Sequence, residues 1–360
     1  MYKFLSVILL LIFSVSLTSA QTEKPLTQPE FVKLLYAIQN NQSKRDDLIE
    51  AVRQRGIDFE LTSGLRGLVL SKAGSGSDEL RRTLEEAARR KVNPTAAALP
   101  SAKEAAEVLA KAKEATLAAV DEMPDFVVKQ LVSRSYGYAG TGGWKSSDRL
   151  TYAVSYSTTK GEDYKLLAIN GAPQTEDKSE YSYQKVGGTT SAGEFVTVLK
   201  TIFSDDSKTE LQVVDTDTLR DRRAIVYSFN VKRENSKQTI TSYDLTVQST
   251  VSGIQGKIWI DRENFRVIRV ESTATEIPRD FPITAARRSI DYDWVTIADQ
   301  KYLLPVLSEV RLTSRYDKDL IESRNLIAFR NYQKFGSEVK ILDEDETVDD
   351  TKPSDSKKPQ

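Results

Sequence analysis

The chain of 360 residues carries 51 Lys+Arg against 52 Asp+Glu, a net charge of −1, and it contains neither cysteine nor histidine. So even a charge balance provides no field to draw in nucleic acid or anionic lipid. Without cysteine there is no disulfide, thiolate metal site, thiol nucleophile or lipidated N-terminal cysteine, and without histidine the commonest general base and metal ligand are missing as well.

Lys3, the apolar run Phe4–Val15 and the small residues Ser16, Thr18, Ser19 and Ala20 follow the order of a secretory signal peptide, residues 1–20. The run is shorter than the roughly 20 residues a permanent span needs. It predicts a periplasmic or secreted protein, with retention as an N-terminal anchor as the other reading.

Residues 27–92 predict a small helical domain. Phe31, Leu34, Leu35 and Ile38 repeat at helical spacing. Ser43 is placed to cap a helix that carries Leu48 and Val52 and stops at Gly56, and Thr62 to cap one with Leu65, Leu68 and Val69. Ser77, Leu80, Leu84 and Ala87 outline a fourth helix. Elements this short are marginal alone and must pack on one another. The phrase Ala51–Phe59 resembles one found in small helical modules of bacterial multidomain proteins, where it accompanies protein–protein contact; Ile57 and Phe59 read equally well as its core.

Residues 93–100 form a linker around Asn93-Pro94 and Pro100. An alanine-rich helix follows from Ser101 to about Asp121, with Ala105, Val108, Leu109, Ala112, Leu117 and Val120 along one side and Pro124 just beyond its end. From Asp125 to about Lys340 the apolar period changes to two. Leu150, Tyr152, Val154 and Tyr156 alternate with polar neighbours, as do Ile225, Tyr227, Phe229 and Val231, then Tyr243, Leu245 and Val247, and Ile290, Tyr292 and Trp294. Such alternation marks antiparallel strands with one buried and one wetter face. Nine to eleven strands are expected, with turns at Asn170-Gly171 and Arg262-Glu263-Asn264. One helix, Gly193–Phe203, interrupts them. Pro305 sits inside a strand pattern and predicts an edge or a bulge. The acidic, then Pro/Ser/Lys-rich tail, residues 341–360, has no apolar period and predicts disorder. The expected fold class is α+β: a small N-terminal helical domain, then a large curved antiparallel β-sheet (an incomplete barrel) with covering helices across residues 101–340.

Within that sheet, Gly256-Lys-Ile-Trp-Ile-Asp261, a four-residue gap and Arg266-Val-Ile-Arg-Val-Glu271 resemble the strand–turn–strand pair of the LolA/LolB-type lipoprotein-carrier fold. The resemblance covers roughly residues 101–340 and excludes the helical domain. It implies an incomplete barrel whose helices close an apolar cavity for acyl chains. Leu109, Phe195, Leu199, Ile202, Trp259 and Trp294 are the candidate lining residues. Trp259 alternates with Lys257 and Asp261 on the face opposite Ile258 and Ile260, so either a helix covers that face or the indole lines a groove.

The candidate chemistry is sparse. Asp205/Asp206, Asp215/Asp217 and Asp291/Asp293 are the paired carboxylates. Asp215–Asp221 loosely follows the start of a calcium loop but lacks its central glycine and distal glutamate. Gly140–Gly143 lacks P-loop spacing. Arg222-Arg223 and Arg287-Arg288 read as solvated charge. The sequence therefore predicts no enzyme, no catalytic residue, no cofactor and no metal. It predicts an exported binding protein that holds an apolar ligand, a lipid or lipoprotein acyl chain. The alternative is an envelope scaffold that docks a protein partner through residues 27–92.

Overall fold

Helix α1 (Gln28–Ile38) starts on a reciprocal cap. The Thr27 hydroxyl accepts from the Glu30 amide, and the Glu30 carboxylate accepts from the Thr27 amide at 2.9 Å, which pairs two donors the helix itself leaves open. It is followed by α2 (Ser43–Arg55), α3 (Ser63–Ala73) and α4 (Ser77–Val92). Gly56, at φ 69°, stops α2 as its sequence position predicts. Phe31, Leu35, Val52, Val69, Leu80 and Leu84 from all four helices meet in one apolar cluster of their own. This computed structural model describes residues 24–38, 43–73, 77–94, 98–141, 143–174, 189, 192–243 and 247–335. The expected signal segment 1–20 and tail 341–360 lie outside them, as does part of the 93–100 linker. Among the described residues no helix is long and apolar enough to cross a membrane.

Helix α5 (Ala102–Asp121) begins where the Ser101 hydroxyl accepts from the Glu104 amide, and it buries Ala105, Val108, Ala112, Thr116 and Val120. Small side chains on that face let it lie close against the sheet. The sheet is built from β1 (Phe126–Tyr138), β2 (Lys145–Ser157), β3 (Gly161–Ile169), β4 (Ala172–Pro173), β5 (Glu210–Leu219) and β6 (Arg222–Val231). A separate hairpin, β7 (Thr239–Tyr243) and β8 (Val247–Val251), precedes the remaining sheet strands. These are β9 (Gly253–Asp261), β10 (Val267–Thr275), β11 (Ile283–Ile297), β12 (Gln300–Tyr316) and β13 (Asp319–Lys334). Eleven strands pair antiparallel in the order β4-β3-β2-β1-β13-β12-β11-β10-β9-β6-β5, an open sheet. Both predicted turns are present: Asn170 and Gly171 take φ 51° and 81° between β3 and β4, and the Asp261 carboxylate accepts from the Glu263 and Asn264 amides between β9 and β10.

One expectation is met in one of its two forms, and one changes. Pro305 is not on an edge, because β12 lies between β11 and β13. Asp291 pairs with Leu307 but Tyr292 with Pro305, so one extra residue bulges there and relieves the ladder of the proline's missing donor. The embedded helix α6 (Thr197–Phe203) is shorter than Gly193–Phe203. Gly193 sits at φ 85°, and no side chain caps the helix at Val196.

The sheet is covered on both sides. On the inner face, Val108 and Ala112 of α5 and Leu199, Ile202 and Phe203 of α6 pack on Ile225, Tyr227, Ile258, Ile260, Val270 and Ile290. The Tyr227 hydroxyl donates to the Ala105 carbonyl, and Arg262 grips Glu104 with two bonds of 2.6 and 2.9 Å, which ties α5 to the sheet. On the outer face Trp259, Val226, Ala224, Leu219 and Ile268 form a small apolar island that lies beneath α4.

Close strand contact depends on Gly256. A Cβ there would stand 1.9 Å from the Glu271 carbonyl oxygen and 2.9 Å from the Ser272 Cα, both backbone atoms that cannot swing aside. Gly256→Ala is therefore expected to lower unfolding stability by about 3 kcal/mol, at the upper end for overpacking, read as a lower denaturant midpoint at an unchanged m-value. A midpoint equal to that of the parent protein would contradict this contact.

Candidate functional site

Helix α4 presents two faces. Leu80, Leu84 and Ala87 enter the helical core, while Glu79, Arg82, Glu86 and Arg90, spaced three to four residues apart, face the outer side of the sheet. Each meets an ionic partner or relay there. Arg53 of α2 bonds Glu79 at 2.8 Å and Asp215 of β5 at 3.2 Å, and Arg90 also reaches Asp215. Arg82 lies 3.5 Å from Asp217 and 3.4 Å from Glu271. Glu86, 3% exposed in its side chain, accepts from Arg223 at 2.8 Å and from the Thr216 hydroxyl at 2.7 Å. Trp259 occupies the middle: its indole N–H donates to Asp217 at 2.9 Å, and the guanidiniums of Arg82 and Arg269 each lie 5.9 Å from its ring.

The network continues along the sheet. Arg269 bonds Glu271 at 2.6 Å and Asp291 at 2.7 Å; Arg220 bonds Asp291 at 3.1 Å, and Arg222 bonds Asp293 at 3.2 Å. Burial alone would raise these carboxyls, since it disfavours the charged form. The arginines override it. Arg53 holds Glu79 down at about 2, Arg223 and Thr216 hold Glu86 below the usual range, and Arg269 with Arg220 does the same for Asp291.

Beside this seam, α2 and α4 stand away from β9–β12 and leave an open cleft of about 520 Å³. Arg45, Asp46, Glu50, Arg53, Asp78 and Glu79 form its helical wall, and Gln255, Lys257, Arg269, Glu271, Thr273, Arg287, Ser289, Glu309 and Arg311 are on its sheet side. Ile49 is the single apolar side chain among the lining residues. Farther along, burial again pushes Glu309 up, but Arg311 and Arg324 override it and hold its carboxyl low.

Of the six residues proposed to line an apolar cavity, three share one cluster and three lie elsewhere. Leu109, Leu199 and Ile202 belong to the α5–α6 core on the inner face, where they pack on other side chains. Phe195 is buried in the neighbouring cluster, edge-on to Phe126 and Phe329 at 5.2 and 5.3 Å. Trp259 is on the opposite face: α4 covers it, so of the two readings of its position the covering helix is the one present. Trp294 is 39% exposed, with the Arg266 guanidinium 6.0 Å from its ring. Of the paired carboxylates, Asp215, Asp217, Asp291 and Asp293 are all engaged with arginines in the network, and exposed Asp205 bonds Lys113 of α5. Arg222 and Arg223 are ion-paired rather than solvated.

No family model and no curated protein matches the chain. Among solved structures, a DUF1329 family protein from Desulfovibrio piger overlaps 64% of this chain and 95% of its own, at 8% identity and a TM-score of 0.29. A chain of the Pseudomonas aeruginosa MucA/MucB complex overlaps 61% and 94%, at 11% identity and 0.19. A structure of MucB in complex with MucA(peri) overlaps 62% and 94%, at 9% and 0.18. Superpositions this loose carry neither ligand nor partner over to this chain.

The network sets a pH dependence. Glu79, Glu86, Asp291 and Glu309 titrate lower in the folded protein than in the unfolded chain, so the unfolded chain binds more protons on acidification and stability falls with pH. The denaturant midpoint is expected to hold from pH 7 to about 5.5 and to drop between about 4.5 and 2, the span through which Glu79 is displaced. A midpoint that rises over that span would contradict the sign. Glu86→Gln weakens the acceptor shared by Arg223, Arg89 and Thr216, and is expected to cost about 3 kcal/mol at pH 7, read by the same titration.

Proposed function

We propose that this chain is an exported, non-enzymatic protein that docks a protein partner in the charged cleft between its helices and its sheet. The observation that carries the reading is the make-up of that cleft. Its walls come from two separately packed parts of the molecule, and charged and polar side chains make up its lining except at Ile49 and Gly256. Charged head groups on every wall would have to be desolvated to seat an acyl chain, which offsets the gain of about 0.8 kcal/mol per methylene removed from water. Such a surface suits a partner that supplies complementary charges and hydrogen bonds. The apolar side chains of α5 and α6 that would serve a lipid carrier are instead used to hold those helices on the sheet.

The non-catalytic part of the reading is supported by the carboxylates. Four of the six candidates are bound to guanidiniums in the network, and Asp291 is held ionised and low rather than near neutrality, where an acid–base group works best. Export is supported by the signal-like order of residues 1–20.

Photo-cross-linking tests the docking. A photoreactive residue at Ser289 on the cleft floor or at Glu50 on its wall, in the full chain in cells, is expected to give the same discrete protein adduct, with none from Lys165 on distant β3. Smears from all three positions, or none, would defeat the reading. Delipidated protein titrated with a fluorescent fatty acid is expected to show no saturable binding; saturable binding would move the function to the inner face.

A further inference from the structure

On the cleft floor Arg287 of β11 stands directly opposite Arg311 of β12, which stands directly opposite the buried Arg324 of β13, beyond the cleft. Cross-strand partners lie about 4.5–5.5 Å apart, and like charges so placed repel. Two of the three are compensated: Arg311 and Arg324 share Glu309, and their guanidiniums lie 5.4 and 5.6 Å from the Trp144 ring. Arg287 has neither. It is exposed, its other cross-strand neighbour is Thr273, and it makes no ion pair or hydrogen bond among the described residues. The same register row continues from Thr273 to Gln255 on β9, and neither of those side chains is hydrogen-bonded among the described residues.

The accessible row Gln255–Thr273–Arg287–Arg311 crosses four strands, a line of about 14 Å at the usual strand spacing, and buried Arg324 closes its end. That matches about four residues of extended chain, whereas a single small anion would occupy one guanidinium fork. Three guanidiniums against one carboxylate leave the row net positive, and the planar fork of Arg287 fits a carboxylate with two parallel bonds. We propose that the docked segment is an acidic, extended peptide lying across β9–β12, with one of its carboxylates seated on Arg287. This rests on the docking reading above and adds the chemistry of the partner.

The test uses the full chain and a fluorescein-labelled hexaglutamate peptide, followed by fluorescence anisotropy at low ionic strength, where exposed charge is least screened. Saturable binding is expected. Arg287→Glu should weaken it about tenfold or more, Arg287→Lys should retain part of it, and Lys165→Glu should leave it unchanged; hexalysine should not bind. Equal binding by the parent and Arg287→Glu would overturn the proposal. So would displacement of the peptide by inorganic phosphate at equal molarity, which would mark a small-anion site. A Ser289 cross-link unaltered by Arg287→Glu overturns this inference and leaves docking in place. Hexaglutamate binding with no discrete cross-link overturns docking and leaves the arginine site.

Discussion

Everything on the outer side of this protein depends on how α4 is seated on the sheet. The seat is ionic, with one aromatic residue at its centre: Arg53, Arg82 and Arg90 reach carboxylates of β5 and β10, Glu86 receives Arg223, and Trp259 is held between two guanidiniums while its N–H satisfies Asp217. Charges removed from water gain little net stability even when well paired, but an unpaired one is costly. A seam of this type discriminates strongly against other alignments, because sliding the helix by one turn would set arginine against arginine. Orientation, more than adhesion, is what the network provides.

The two faces of the sheet thus divide the work. Inside, α5 and α6 are held by apolar side chains and a few anchoring bonds at Ala105 and Glu104. Outside, the same strands present charge. The cleft lies beside the ionic seam: α2 and α4 are pinned through Asp215, Asp217 and Glu271, and the floor of β9–β12 next to those pins stays open. Its floor is rigid strand and its wall is packed helix, which places Arg287 and Lys257 on a fixed surface rather than on a loop.

Periodicity made most of this fold legible. The helices between Gln28 and Val92, the capping serine at 101 and the turns at Asn170 and Asp261 follow from local chemistry that acts within a few residues. The bulge at Pro305 was readable for the same reason, although its place in the middle of the sheet was not, since strand order is a long-range property. The candidate site was far less legible. The charged face of α4 is as regular as its apolar face, yet charge at helical spacing usually faces water, and its partners on β5, β6 and β10 are more than a hundred residues away. One signal did point to it. Trp259 sits between Lys257 and Asp261 on a strand face that a one-sided sheet would leave wet, and a large indole there calls for a cover. The alternative placement, in a greasy pocket with Leu199 and Ile202, fails because successive strand residues point to opposite faces.

The seat of α4 also bears on what a truncated chain can reveal. Severed after Val92, the four helices would keep their shared core and the Arg53–Glu79 pair, but Arg82, Glu86 and Arg90 would lose their partners on the strands. Such a piece would be promiscuous bait, attracting whatever carries matching charge, and its catch would be a portrait of the missing sheet rather than of a natural companion.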